Sequence, residues 1–228
     1  MATMTARSMG AAATRFLRPK YAVFAAIAAM ALVVLHKDRV IADPADPIWD
    51  HYRPFAWWLI PHGIAGLVVL LLGASQFSDR LRRRLPRHRL VGRIYVGAVL
   101  VLVPIGVLIE AIKYSHGIAS LKLLVATSGF GTLLLIATAM GLAMARRHRL
   151  APHRRWMTRS YAIGLVFLTG RTVDHIPLLT RLTTWPSDML ESHHVSDLWM
   201  YVALSLAAAQ VAIWWQARRP RATPARQR

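Results

Sequence analysis

Six apolar runs, each close to the length that crosses a bilayer, alternate with short stretches in which arginines collect. That alternation leaves few folds open. A hydrocarbon core takes roughly 20 apolar residues as an α-helix, and every backbone N–H and C=O inside it must find a partner within the segment. Helices over about 21–36, 55–75, 94–112, 121–145, 160–178 and 198–217 meet both demands, the first with help from snorkelling Arg18 and Lys20. Pro104 is expected to kink the third. Trp57, Trp58, Trp199, Tyr201, Trp214 and Trp215 stand at the ends of runs, where an aromatic belt would lie.

The connections give direction. Lys and Arg number four before the first run, seven between the second and third, six between the fourth and fifth, and five in the tail, against six in all the other connections. The positive-inside rule then predicts both termini in the cytoplasm of a bacterial inner membrane. The first run also resembles a signal peptide, but no small-residue cleavage site follows it, and an uncleaved anchor is expected. The net charge of +19 belongs to these connections rather than to one soluble face, so it points to anionic lipid headgroups and not to nucleic acid. With no cysteine, thiolate clusters, covalent c-type haem and disulfides are excluded, while non-covalent haem b, quinones and lipids stay open.

The two large basic connections share an order of residues. Positions 84–89 read Arg-Leu-Pro-Arg-His-Arg and positions 149–154 read Arg-Leu-Ala-Pro-His-Arg, which puts His88 and His153 sixty-five residues apart. Arg93 and Tyr95 follow the first, Arg159 and Tyr161 the second. The expected fold is therefore an all-α membrane protein of six transmembrane helices. A four-helix core, built from two parallel helical-hairpin repeats at about 55–113 and 121–178, would carry two flanking helices. The transmembrane domain would span 20–217, between a disordered basic N-terminus (1–19) and a disordered basic tail (218–228).

With these motifs in place, the chain resembles a bacterial multi-pass membrane protein family known as domain of unknown function 2306. The resemblance rests on His62, Gly73, Gln76-Phe77, His88-Arg89-x-x-Gly92-Arg93-x-Tyr95, His153-Arg154-Arg155-Trp156-Met157-x-Arg159-Ser160 and Arg171, over roughly residues 55–180. It implies a membrane location and little else.

Candidate chemistry falls into two groups. Near the outer ends of their runs, His62, Glu110, Arg171, Asp174 and His175 would form an intramembrane polar cluster, since ionisable groups in hydrocarbon are costly and usually partnered. At the inner ends, His88 and His153 could face each other, with Arg84, Arg89, Arg93, Arg154 and Arg159 toward lipid. The leading functional expectation is electron transfer through haem b or a quinone, with His62, His88, His153 and His175 as candidate ligands and no metal beyond the haem iron. One alternative is a non-catalytic module that binds anionic lipid or a partner protein. Another is a small-anion or proton-linked transporter using Arg171, Asp174 and His62, which a homodimer would enlarge. No hydrolase, kinase or nucleotide-binding motif is present.

Overall fold

A computed structural model describes residues 19–37, 45, 49–175 and 190–218, so the expectations for the two chain ends lie outside the described residues. Every regular element among them is a helix: α1 Pro19–Lys37, α2 Trp49–Tyr52, α3 Ala56–Ser75, α4 Asp79–Arg83, α5 Leu85–Ser115, α6 Leu121–Arg146, α7 Leu150–Gly164, α8 Val166–His175 and α9 Leu190–Arg218. Four stretches are long and apolar enough to cross a membrane, namely Ala56–Ser75, Leu85–Ser115, Leu121–Arg146 and Asp197–Trp215, and Ala22–Lys37 is a shorter apolar helix.

Local chemistry sets the helix ends. Pro86 occupies the first turn of α5, where its missing N–H costs nothing. The same helix runs on through Pro104 to Ser115. It then closes with Gly117 in the left-handed region (φ 69°), Gly117 N donating to Tyr114 O and Ile118 N to Lys113 O at 2.8 Å. α6 starts on a Ser120 side chain that accepts from Leu123 N. It ends with the same double bond pattern around His148, a left-handed residue (φ 57°) where glycine is usual. The fifth apolar run is not one continuous helix. It divides at Leu165 into α7 and α8, next to Gly164 and after the hydrophilic turn that opens α7.

Packing joins α3 to α5, α5 to α6 and α6 to α7, and α3 reaches α7 to close a ring of four. α9 lies on α6, α7 and α8, and α1 lies on α8. The polarity of α3 is inverted relative to a helix in water. Small or slender residues Ala65, Val69 and Gly73 are buried, while Ile60, Ile64, Leu67 and Leu71 are exposed. A bare stripe of large apolar side chains is a liability in water and the expected solvent face in lipid.

At the centre, α5 and α7 touch through Tyr95 and Ser160, both wholly buried, whose hydroxyl oxygens are 2.8 Å apart. Ser160 Oγ is also 2.7 Å from Thr138 Oγ1, which donates to Leu134 O at 2.7 Å. The carbonyl can only accept, so the single Thr138 proton is spent there. Ser160 must then donate to Thr138 and Tyr95 must donate to Ser160. Tyr161 on the neighbouring face donates to Leu70 O at 3.1 Å. Gly73 gives both rings their room: a Cβ there would collide with the Tyr161 ring and come within 3.0 Å of Tyr95 Cε2.

Two predictions follow from this centre. Gly73→Ala destabilises the bundle by about 1–3 kcal/mol, because two buried rings must shift. Gly97→Ala, where nothing lies within 4 Å of the added carbon, leaves the thermal midpoint in detergent unchanged. The direction of the hydroxyl chain predicts that Ser160→Ala costs more than Tyr95→Phe. The first strands a buried Tyr95 O–H, worth about 1–3 kcal/mol. The second removes one donor, worth about 0.6 kcal/mol for polar contacts between membrane helices. The reverse order in unfolding measurements would contradict the assigned direction.

Candidate functional site

The arginine-rich ends of α5 and α7 are built alike. Arg84 and Arg149 precede them with nearly the same backbone angles (φ −103°, ψ 77° and φ −88°, ψ 79°). His88 N donates to Arg84 O and His153 N to Arg149 O, each at 3.0 Å. Each helix start is tied to the end of the helix before it. Gln76 Nε2 reaches His88 O at 3.5 Å, a weak contact, and His153 Nδ1 donates to Gly141 O at 2.8 Å. A carbonyl cannot donate, so His153 carries its proton on Nδ1.

His88 differs from its counterpart. Its Nδ1 is buried and has no hydrogen-bond partner. His153, Arg82 and Arg154 are close enough to act on its ring electrostatically. Of the two histidines expected to face each other, His153 thus bears on His88 electrostatically, together with two positive guanidinium groups. Arg82 pairs with Asp79 one turn earlier, so one of those charges is already balanced. Arg84, Arg89, Arg93 and Arg154 are exposed. Arg159, the fifth arginine expected toward lipid, also makes contacts within the bundle. Its guanidinium donates to Gln210 Oε1 at 2.9 Å and lies 5.1 Å from the Trp156 ring centre, fastening α9 to α7.

Toward the opposite end, His62 lies on α3, about 9 Å from the start of that helix at 1.5 Å per residue. Its Nδ1 donates to Leu102 O at 3.2 Å, and its ring meets Phe167 edge-on at 6.4 Å. Phe167 in turn meets Phe130 at 4.9 Å. Gly106 leaves space for the imidazole, since a Cβ there would come within 3.0 Å of His62 Cε1. His62, Thr127, Phe130, Gly164 and Phe167 line a cavity of about 20 Å³. That is room for about one water molecule.

Glu110, on the last turns of α5, accepts from Lys113 Nζ at 2.8 Å through Oε1, while its Oε2 is buried without a hydrogen-bond partner. Its charge acts on His62. Of the expected outer cluster, Glu110 thus bears on His62 electrostatically, from one turn beyond the Gly106 that the ring packs against. Arg171 is half-buried on α8, one turn beyond Phe167, and does not line the cavity. The side chains of Asp174 and His175 lie outside the described residues.

The described residues do not fit a haem; of the candidate ligands, the side chain of His175 lies outside them. A cofactor pocket occupies roughly 300 Å³ or more, and the cavity beside His62 has about 20 Å³. At the other end, Tyr95 and Ser160 stand two turns beyond His88 and His153, and their hydrogen bond closes the gap between α5 and α7 at that depth. Among the described residues no group of three or more His, Asp or Glu could hold a metal ion. The sequence reading missed Arg82, Gly141, Lys113 and the Tyr95–Ser160 contact. The offset of 65 residues carried the signal for two of them, since it relates Gln76 to Gly141 and Tyr95 to Ser160.

No curated protein and no solved structure matches this sequence. The family model described as predicted membrane protein DUF2306 matches residues 59–213, a stretch that contains the four-helix ring, both histidine ends and most of α9. The chain belongs to that family.

Proposed function

We propose that the protein is a six-span module of a bacterial inner membrane, with its arginine clusters and termini in the cytoplasm, and that it binds the phosphate of an anionic lipid between the starts of α5 and α7. One observation carries this reading. His88 Nδ1 is buried without a partner in a place where Arg82, Arg154 and His153 all bear on it. An unmet buried polar atom costs about 1–3 kcal/mol, and gathered positive charge adds to the cost. A phosphate oxygen relieves both, accepting an N–H from His88 and balancing the guanidinium charge. The basic connections supply the surrounding attraction to the leaflet, at about 1 kcal/mol for each Lys or Arg near the surface.

The haem and quinone readings are not carried forward, because the space beside His62 is water-sized and Tyr95 and Ser160 meet where a macrocycle would have to enter. Transport of an anion through Arg171 is not carried forward either, because Arg171 does not line the described cavity beside His62.

Thermal stabilisation by added lipid tests the proposal. Phosphatidylglycerol raises the unfolding midpoint of the detergent-purified protein more than phosphatidylcholine does at equal salt. Saturating lipid at about 100 times its dissociation constant contributes about 2.7 kcal/mol. Arg154→Gln and His88→Leu each remove at least about 1 kcal/mol of that gain without lowering the lipid-free midpoint. Equal stabilisation by the two lipids, or an undiminished gain in both variants, sinks the reading.

A further inference from the structure

The opposite end of the bundle holds a second site that lipid binding does not use. His62 donates its Nδ1 proton to Leu102 O at 3.2 Å, which fixes the tautomer of the neutral ring and leaves Nε2 as its unprotonated nitrogen. The ring borders the water-sized cavity, next to the division between α7 and α8 at Leu165. Glu110 supplies negative charge from α5, with one carboxylate oxygen on Lys113 and the other buried and unpartnered. A basic nitrogen, room for one water and a carboxylate acting on the same ring are the parts of a proton site.

We infer that His62 and Glu110 form a proton-binding site in the outer third of the bundle, in which His62 Nε2 takes a proton from a hydronium ion and the Glu110 carboxylate balances the charge that results. The step breaks one O–H bond of a hydronium ion, forms one N–H bond and changes no oxidation state. His62 passes from neutral to singly positive, keeping its Nδ1–H bond to Leu102 O, and the hydronium that delivered the proton is left as neutral water. The side chains of Asp174 and His175 on α8 lie outside the described residues, and the charged and titratable groups among the rest of the surrounding helices are these. α5 brings Glu110 and Lys113. α8 carries Arg171 one turn past Phe167, and α7 carries Tyr161, whose hydroxyl is occupied by Leu70 O. On the cavity wall α6 offers only the neutral hydroxyl of Thr127. At the outer end of α1, His36 and Lys37 are exposed. Glu110 acts on His62 directly, and Lys113, paired with Glu110 at 2.8 Å one turn along the same helix, carries the charge that would oppose it.

That opposition gives a test independent of lipid binding. The full-length protein is labelled with ¹⁵N-histidine, placed in lipid nanodiscs and titrated by NMR, and the His62 signals are identified as those missing from His62→Gln. At about pH 8 the ring shows Nδ1 protonated and Nε2 bare, and both nitrogens become protonated as pH falls. Glu110→Gln lowers the midpoint by about half a unit or more, and Lys113→Gln raises it. Lys113→Gln reads the same electrostatics on the opposite side, so the test stands even if Glu110→Gln fails to fold. The inference is overturned by the opposite tautomer at high pH, by a ring that stays neutral down to about pH 4, or by a midpoint that Lys113→Gln leaves in place. Binding of phosphatidylglycerol is unaffected by either variant.

Discussion

The hydrogen bond between Tyr95 and Ser160 sets the distance on which both ends of the bundle depend. It joins α5 to α7, the two ring helices that open with the same turn, at positions sixty-five residues apart. His88 and His153, two turns nearer the arginines and also sixty-five apart, bear on each other across the same pair of helices. Around this contact the chain places Gly73 against the Tyr95 ring and, sixty-five residues on, Thr138 against Ser160. A bilayer offers little hydrophobic drive between helices, so close fit and hydrogen bonds set their spacing. Here the fit comes from glycine and the hydrogen bond from a hydroxyl chain ending on the Leu134 carbonyl.

The all-helical class and the membrane-spanning lengths were legible in the sequence, because bilayer thickness and backbone satisfaction leave a long apolar run little choice. The likeness of the two basic connections was legible too, through the order Arg-Leu-x-x-His-Arg. The division of the fifth run at Leu165 was not. Hydropathy counts residues that tolerate lipid, whereas a helix divides where backbone geometry and neighbours demand it, here beside Gly164 against Val69. Arg159 reads as one more basic residue in a basic stretch. Its contacts with Gln210 and Trp156 depend on where α9 lies, which no local pattern records. Glu110 and Lys113 stand at a spacing that permits an ion pair, but nothing local shows that the second carboxylate oxygen is buried alone.

The sixty-five-residue offset also separates paired histidines from paired ligands. At the arginine-rich end it relates His88 to His153, and the second bears on the first electrostatically. At the other end the residue sixty-five positions after His62 is Thr127, and both line the same small cavity. The first of these positions supplies an ionisable ring and the second a neutral hydroxyl, so among the described residues that line the cavity no second imidazole faces the first. A count of histidines in apolar runs misses this, because it records residue type without the register that relates one copy to the other.

His62 and His153 are held by one device used at two depths. Each gives its Nδ1 proton to a backbone carbonyl of a neighbouring helix, Leu102 O in one case and Gly141 O in the other. A helical carbonyl has a second lone pair to spare, so the bond costs the helix no ladder contact. Both rings are left in the same tautomer with Nε2 available, and their surroundings decide what that nitrogen can do. Beside Glu110 a positive ring gains a counter-charge, and a proton is the fitting ligand. At the other end His153, Arg82 and Arg154 gather positive charge around His88, which suits the anion proposed there. Similar histidine geometry at the two ends thus serves opposite charge balances, and the distribution of arginine along the chain fixes which end is which.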